Sequence, residues 1–313
     1  MARERGHGMR ASKIWHHGAA VTFGAAAFAA AMLGAMPAIA QEAAPMIGAP
    51  VTWGVGLQQS GGVVKDAIHD FNDMVLYIII AITAFVAVLM LYITWRYRAA
   101  KNPTASRTSH NTVLEVAWTV VPVLILLVIA IPSFRLIYYQ DRVPSADVTI
   151  NVQGRQWYWH YAYPENGNFA FDSYPLTEDQ LPADQRHLFR LAVDNPLVVP
   201  IGANVRVITS GQDVIHSFFV PSLGVQKYTI PGRTLETWFR ADRAGTFYGQ
   251  CNQICGTNHW FMPIVVRAVP RAEFDTWAAD ARTRFAQAPA SPTAPADIAA
   301  APIDTNLMAE ARR

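Results

Sequence analysis

Charged residues are scarce in this sequence, and the two signs nearly balance. Only 15% of the 313 residues are charged, against about 25% in a typical soluble domain, whereas 52% are apolar. The net charge of +2 excludes the basic field that nucleic-acid binding requires, and no run of Lys and Arg interleaved with aromatic residues occurs. The chain also lacks a Cys-x-x-Cys-His motif, which excludes an attached haem c domain. Part of this chain is therefore expected to lie in lipid.

The first of three uncharged stretches, residues 18–40, has the pattern of a signal peptide. It follows a basic start, consists mostly of Ala and Gly, and ends in Pro-Ala-Ile-Ala before Gln41. This order of a basic region, an apolar region and an A-x-A site predicts that residues 1–40 are removed on export. An uncleaved spanning helix is the alternative, because 23 uncharged residues are long enough to cross a bilayer. If residues 1–40 are removed, residues 41–70 form an exported N-terminal segment.

The remaining two uncharged stretches, 74–95 and 116–134, are rich in Leu, Ile and Val. Each is close to the ~20 residues that cross the hydrocarbon core, so residues 71–140 are predicted to form a two-helix transmembrane hairpin in the lipid bilayer. The loop between them carries Arg96, Arg98, Lys101 and Arg107 without an acid. The positive-inside rule places that loop in the cytoplasm and both mature termini on the outer side of the membrane.

Short runs of β-branched and aromatic residues follow the hairpin, at 148–152, 156–161, 205–208 and 264–266. Gly and Pro turn signals separate them, which is typical of an all-β sandwich or barrel. We therefore predict two transmembrane α-helices followed by a β domain at residues 146–270. A short helix is expected at 271–285, and the Ala/Pro-rich remainder to residue 313 is expected to be disordered.

Four soft metal ligands lie in one stretch of this β domain: Cys251, Cys255, His259 and Met262. Thiolates, a thioether and an imidazole are ligands that copper selects and that Mg and Ca refuse. The same spacing would also line one face of a helix, but Gly and Pro in and after the segment favour a loop. The two cysteines could instead form a disulfide, and the same donors could bind zinc.

A further donor upstream would hold such a site more rigidly, and His216 is the best candidate. It lies 35 residues before Cys251, a separation that allows a sandwich to bring two loops together at one end. Two His, two Cys and a Met exceed what a closed zinc site or a mononuclear blue-copper site uses, so the set favours binuclear copper with bridging thiolates. A hydrogen-bonded histidine at a strand end is the structural alternative for His216.

Four motifs resemble the cytochrome c oxidase subunit II family. The segment 248–263, YGQCNQICGTNHWFMP, is similar to the copper A loop of that family, and Gln156-Trp157-Tyr158-Trp159 is similar to its aromatic motif. The segment 213–218 resembles its first copper-ligand loop, and 230–233 resembles its turn before the last strands. The similarity runs from about residue 60 to 270 in the family's order, including the hairpin, and implies a cupredoxin copper A domain.

The resemblance implies a subunit that accepts electrons from reduced cytochrome c at a binuclear copper A centre. It passes them to haem a in subunit I, where copper B lies, oxygen is reduced and protons are pumped; subunit III is a further expected partner. Trp157 matches the residue that receives electrons, and Glu115 matches the carboxylate at the mouth of a proton-uptake path, although Thr112–Glu115 also fits a capping box. The implied copper ligands are His216, Cys251, the backbone carbonyl of Gln253, Cys255, His259 and Met262.

The chain departs from the family pattern at three positions near this site. Gln253 stands where the family usually has Glu, whose carboxylate also reaches a magnesium ion shared with subunit I. Gln226 and Tyr228 replace the usual Lys and Asp. We therefore expect magnesium binding at the subunit I interface to be weakened or absent.

Residues 165–194 contain six acids and two bases, which either steer a basic cytochrome or form a solvated loop. Three functions compete with the oxidase. A quinol oxidase subunit II lacks the copper ligands as a family. A copper carrier or assembly protein would bind copper without electron transfer in turnover. Nitrous oxide reductase is exported as a soluble enzyme with a second, His-rich copper site, for which nine histidines are too few.

Overall fold

Two long helices precede a ten-stranded domain, and a third helix follows it. The computed structural model describes residues 48–285, with α1 at Val63–Arg96, α2 at Thr112–Asp141 and α3 at Arg271–Phe285. The predicted signal peptide at 1–40 and the tail beyond 285 lie outside the described residues. Helix α3 covers the segment for which a short helix is expected.

Helices α1 and α2 are long and apolar enough to cross a membrane, and no residue in their most apolar windows is buried. Helix α1 begins at Val63, eight residues before the predicted limit of the hairpin at 71. These extra turns form because they pack on the β domain. A side chain at Gly224 would lie 2.8 Å from the backbone nitrogen of Lys65, and Gly224 has a φ of +70° that favours glycine.

Helix α2 is capped by Asn111, one residue earlier than the predicted cap. The Asn111 side chain accepts hydrogen bonds from the backbone N–H groups of Val113 and Leu114 at 3.1 and 3.2 Å. The Glu115 carboxylate accepts from the Asn111 backbone N–H at 3.2 Å. The reciprocal arrangement is that of a capping box, but the predicted assignment of Thr112 as its cap is wrong, because the Asn amide oxygen reaches the orphan N–H groups first.

The β domain is built from ten strands: β1 Val148–Arg155, β2 Tyr158–Tyr163, β3 Phe169–Ser173, β4 Leu197–Pro200, β5 Val205–Gly211, β6 His216–Val220, β7 Val225–Thr229, β8 Leu235–Phe239, β9 Gly245–Gln250 and β10 Pro263–Val269. They form three sheets: a five-stranded sheet with the order β3-β2-β1-β5-β8, a three-stranded sheet with the order β4-β10-β9, and the pair β6–β7. The pairs β1–β5 and β4–β10 are parallel and the others are antiparallel. The predicted class, two apolar helices followed by a β sandwich, is confirmed.

Strand β2 shows how sequence alternation builds the core. Trp159, Tyr161 and Tyr163 alternate with more exposed residues and are fully buried. The Tyr163 hydroxyl donates to the Val198 carbonyl at 2.7 Å and accepts from the Val198 N–H at 3.1 Å, which joins the five-stranded sheet to β4. The strand predicted at 156–161 begins two residues later, at Tyr158, so its predicted start is wrong. Arg155 pairs with Tyr158, and residues 156 and 157 therefore form the turn between β1 and β2.

The outer end of α2 is fastened to β7 and β8. The Trp238 indole N–H donates to the Tyr139 carbonyl at 2.9 Å, and the Lys227 ammonium pairs with Asp141 at 2.8 Å. The rings of Tyr139 and Trp238 also meet edge to face at 5.3 Å. These contacts join α2 to two strands, so the β domain packs directly against the outer end of the hairpin.

Candidate metal centre

Three of the predicted metal ligands lie at the ends of strands. His216 begins β6, Cys251 follows the end of β9, and Met262 precedes the start of β10. Strands β9 and β10 are antiparallel, with Gln250 opposite Pro263, and the Cys251 N–H donates to the Met262 carbonyl at 3.1 Å. The pairing therefore closes residues 251–262 into a loop at one end of the sandwich.

The side chains of His216, Cys251 and Cys255 form a compact cluster. One donor atom from each lies within 4.8 Å of the others, and all three residues are buried. The two sulfur atoms are 3.8 Å apart and both cysteines are free, so the disulfide considered from the sequence is not formed. His259 joins the cluster through its Nδ1, which lies 3.6 Å from the Cys255 sulfur. Three buried donors and the partly buried His259 therefore lie together at one site.

Gln253 and Met262 border this cluster in different ways. The Gln253 backbone carbonyl lies 3.3 Å from the Cys251 sulfur, so it faces the cluster. Met262 is fully buried and belongs to the same core cluster as the two cysteines. The backbone of Met262 is tied to this site by the hydrogen bond from the Cys251 N–H to its carbonyl.

The His216 imidazole is oriented as metal-ligating histidines usually are. Its Nε2 lies 2.8 Å from the Asp213 carboxylate, while Nδ1 is buried and has no hydrogen-bond partner among N and O atoms of residues 48–285. A carboxylate on one ring nitrogen fixes the tautomer and leaves the other nitrogen for a metal. Gly154 leaves room for the imidazole, because a side chain at this position would come within 2.8 Å of His216 Cδ2. The residues present therefore fit a metal bound by sulfur and imidazole.

The two thiols differ strongly in acidity. Burial raises the pKa of Cys251, but hydrogen bonds involving His216 and the backbone of Ser217 outweigh it and lower the pKa to about 6. Burial raises the pKa of Cys255 to about 12, and the neighbouring negative charge on Cys251 adds to this effect. The metal-free cluster therefore keeps one sulfur protonated at neutral pH. Because metals bind thiolates, occupation by a cation would release that proton.

Trp157 touches the cluster through the backbone of one cysteine. Its indole N–H donates to the Cys255 carbonyl at 3.2 Å, and the Gln156 side-chain amide donates to the same carbonyl at 2.8 Å. Gly256 makes this approach possible, because a side chain there would lie 2.9 Å from the indole ring. Trp157 is only partly buried, so part of the residue remains accessible to solvent.

Sequence reasoning missed the residues that connect these parts. The Asp213 carboxylate accepts from the Gln156 backbone N–H at 2.6 Å as well as contacting His216. Burial raises the pKa of Asp213, but hydrogen bonds from His216, Val214 and Gln156 lower it below its usual value. The sequence offered one signal for these contacts: Asp213 is close to His216, and Gln156 is next to Trp157. Neither pattern predicts a contact between two loops that are far apart in the chain.

Glu115 is the one predicted site residue that the structure places elsewhere. It lies in the first turns of α2, at the end opposite to the β domain. A helix of 30 residues is about 45 Å long, so Glu115 cannot belong to the metal cluster. Any role of this carboxylate is therefore exerted at the far end of the membrane hairpin.

Family comparisons cover both parts of the chain. Residues 148–269 match the family described as cytochrome c oxidase subunit II, periplasmic domain, and residues 50–136 match the family described as cytochrome c oxidase subunit II, transmembrane domain. The match to the transmembrane family ends within α2 and the match to the periplasmic family begins at the start of β1, so together they cover the hairpin and the β domain except for residues 137–147.

Similar proteins come from several bacteria. A probable cytochrome c oxidase subunit 2 of Rickettsia bellii is 44% identical over 230 residues, covering 74% of this chain and 85% of the relative. The cytochrome c oxidase subunit 2 of Cereibacter sphaeroides is 41% identical over 276 residues, covering 83% and 91%. A crystal structure of the periplasmic domain of subunit II from Bradyrhizobium japonicum is 49% identical, covering 46% of this chain and 99% of that chain, with a TM-score of 0.42. This chain therefore belongs to the cytochrome c oxidase subunit II family and is a subunit of that oxidase.

Proposed function

We propose that the metal cluster is a binuclear copper A centre that receives electrons from reduced cytochrome c and passes them to haem a of subunit I. The observation that carries this proposal is the meeting of two free thiols and the His216 imidazole in one buried site. Bound copper would supply reversible one-electron transfer. The residues that would hold it are His216, Cys251, the backbone carbonyl of Gln253, Cys255, His259 and Met262.

The chain's own residues favour copper over zinc. Two thiols, two imidazoles and a thioether exceed the four ligands of a closed zinc site, which has no use for Met262. The close pair of sulfurs, 3.8 Å apart, suits bridging of two ions. Asp213 holds His216 in one orientation, and the β9–β10 pairing fixes both ends of the loop. Such a rigid frame supports fast electron transfer, because little structure has to rearrange.

We also propose where the subunit works in the cell. It would lie in a bacterial inner membrane with two spans, together with subunits I and III, and its copper domain would face the periplasm. The acid-free loop between α1 and α2 supports this orientation through the positive-inside rule. Oxygen reduction and proton pumping would occur in subunit I.

Trp157 is proposed to be the residue that takes electrons from cytochrome c. It is partly accessible to solvent, while its indole N–H bonds to the carbonyl of Cys255, so it joins the domain surface to a proposed ligand. Four acids nearby in the chain, Glu165, Glu178, Asp179 and Asp184, are exposed and supply negative charge for a basic partner. The Asp172 carboxylate already contacts His160 Nδ1 at 2.7 Å, so it is left out of this set.

Copper content tests the central proposal. The purified full-length protein, loaded with copper, is expected to bind two ions per chain and to give an EPR signal from one electron shared by two copper nuclei. Replacing Cys255 with Ser removes one bridging thiolate and is expected to abolish the shared signal. Asn252→Ala changes an exposed residue of the same loop and should leave the signal intact. A mononuclear signal in the unaltered protein, or absence of copper, would contradict the proposal.

Electron acceptance is tested with Trp157→Phe. Loss of the indole N–H bond to the Cys255 carbonyl is expected to slow electron transfer from reduced cytochrome c on the order of tenfold, or about 1.4 kcal/mol in the barrier. Stopped-flow measurement at several salt concentrations should also show slower association at high salt. The control is Trp260→Phe, which alters an exposed tryptophan of the loop that carries the two cysteines. An equal effect of both substitutions would rule out a special role for Trp157.

Glu115 is proposed to lie at the mouth of a proton-uptake path into subunit I. Glu115→Gln keeps a side-chain oxygen that can accept from the Asn111 N–H, but it removes the charge. Steady-state oxygen consumption by the assembled oxidase is expected to fall several-fold while the copper spectrum stays unchanged. Asn111→Asp, which retains an acceptor at the helix cap, is the control for helix stability. Normal turnover in the Glu115 variant would refute the role in proton uptake.

Weak magnesium binding is expected at the interface with subunit I. The amide at Gln253 lacks the negative charge that magnesium prefers, although its backbone carbonyl is unaffected. Metal analysis of the purified oxidase after brief chelation should find little magnesium, and Gln253→Glu should raise the affinity by at least about tenfold. Asn252→Asp adds the same charge to the exposed neighbour as a control. Stoichiometric, tightly held magnesium in the unaltered oxidase would show this expectation to be wrong.

A further inference from the structure

The outer end of α2 carries a cationic and aromatic face that the copper chemistry does not use. The uncharged stretch of the helix ends at Phe134, and the next residue is Arg135. Arg135, Tyr138, Tyr139 and Arg142 follow the spacing of three, four and seven residues that places side chains on one helix face. Together with Phe134 they line a shallow surface cavity of about 440 Å³ that is open to the surroundings.

The charges of this cavity are uncompensated within the part of the chain described. Neither Arg135 nor Arg142 forms an ion pair with a carboxylate of residues 48–285, and no acid lines the cavity. The nearest acid of the helix, Asp141, is already paired with Lys227. By contrast, arginines of the exported part of the chain are commonly paired, as in Arg206–Glu236, Arg240–Asp242, Arg267–Glu273 and Arg271–Asp275.

One wall of the cavity is fixed by the fold. The Tyr139 carbonyl accepts from Trp238, and the two rings meet edge to face, which holds this turn of α2 against β8. The Arg142 guanidinium lies 5.4 Å from the centre of the Tyr138 ring, a cation–π contact that holds it beside another residue of the cavity lining. Phe134 and Tyr138 are 60% and 59% exposed, so the opposite side of the cavity is open.

We propose that this cavity binds an anionic phospholipid of the outer leaflet. Its phosphate would lie at one of the two guanidinium groups, because Arg recognises phosphate through paired N–H donors, and the remaining polar atoms of the headgroup would lie at the other. The acyl chains would run along Phe134 and the exposed Ile131 on the apolar part of the same helix. The depth agrees with this ligand, since tyrosines and arginines at a helix end gather where headgroups meet hydrocarbon.

The number and spacing of the cationic groups support a lipid headgroup as the ligand. Arg135 and Arg142 are seven residues apart, which corresponds to about 10 Å along the helix axis. That span accommodates a headgroup with its phosphate near one guanidinium and its remaining polar atoms near the other. Because the cavity lies on the hairpin, the inference does not depend on copper or on cytochrome c.

Lipid retention by the intact oxidase tests the inference. Complexes carrying Arg135→Gln, Arg142→Gln or both would be exchanged into nanodiscs of phosphatidylglycerol and phosphatidylcholine, and bound lipid would be counted by native mass spectrometry. Each substitution is expected to weaken phosphatidylglycerol retention about fivefold, and the double variant about 25-fold, from the contribution of one basic residue near a lipid surface. Phosphatidylcholine retention should not change.

Arg282→Gln is the matched control, because it removes the same charge from an exposed position of α3 and should retain lipid normally. Equal phosphatidylglycerol retention in the double variant and the unaltered complex would overturn the proposal. Loss of subunit I with lipid retention unchanged would overturn it too, because the arginines would then bind a carboxylate of that subunit. Displacement of the lipid by an equal concentration of inorganic phosphate would likewise overturn it, since free phosphate lacks the acyl chains.

Discussion

The antiparallel pairing of β9 with β10 is the constraint on which the metal centre depends. Because Gln250 lies opposite Pro263, the chain between them must form a closed loop, and the hydrogen bond from Cys251 to Met262 fastens its base. Both cysteines, His259 and Met262 therefore stay within one small volume without help from a disulfide. The loop has no strand of its own to stabilise it, so its shape depends on this pairing and on the burial of its sulfur atoms.

A second set of hydrogen bonds joins this loop to two more parts of the domain. Asp213 contacts His216 and the backbone of Gln156, while the side chains of Gln156 and Trp157 both donate to the Cys255 carbonyl. The first ligand loop, the aromatic turn and the cysteine loop thus share a continuous polar network in a largely apolar surrounding. Within this network the hydrogen bonds to the Cys255 carbonyl and the contact of His216 with Asp213 are partly buried, which strengthens them and orients these groups. The network also explains why an aromatic residue partly open to solvent is held directly against the metal cluster.

The membrane hairpin and the β domain are likewise coupled by a few defined contacts. Gly224 allows the first turns of α1 to approach the domain closely, and Trp238 and Lys227 hold the end of α2. These contacts place the domain on the helices, and they also give a fixed wall to the aromatic and cationic cavity at the membrane surface. The same junction therefore serves the position of the metal centre and the proposed lipid contact.

The sequence by itself determined the class of the protein and its ligand types. Long uncharged stretches can only be accommodated in lipid or a core, and the soft donors Cys251, Cys255, His259 and Met262 restrict the metal whatever the fold, so both features follow from local chemistry. Only the tertiary structure decided that Asp213 orients His216, that Gln156 and Trp157 lie in a turn against Cys255, and that Asn111 caps α2. Each of these depends on distances between segments far apart in the chain or on which of two adjacent residues reaches a free N–H group. Residue types and spacing specify which groups are present, whereas strand pairing and packing decide which of them meet.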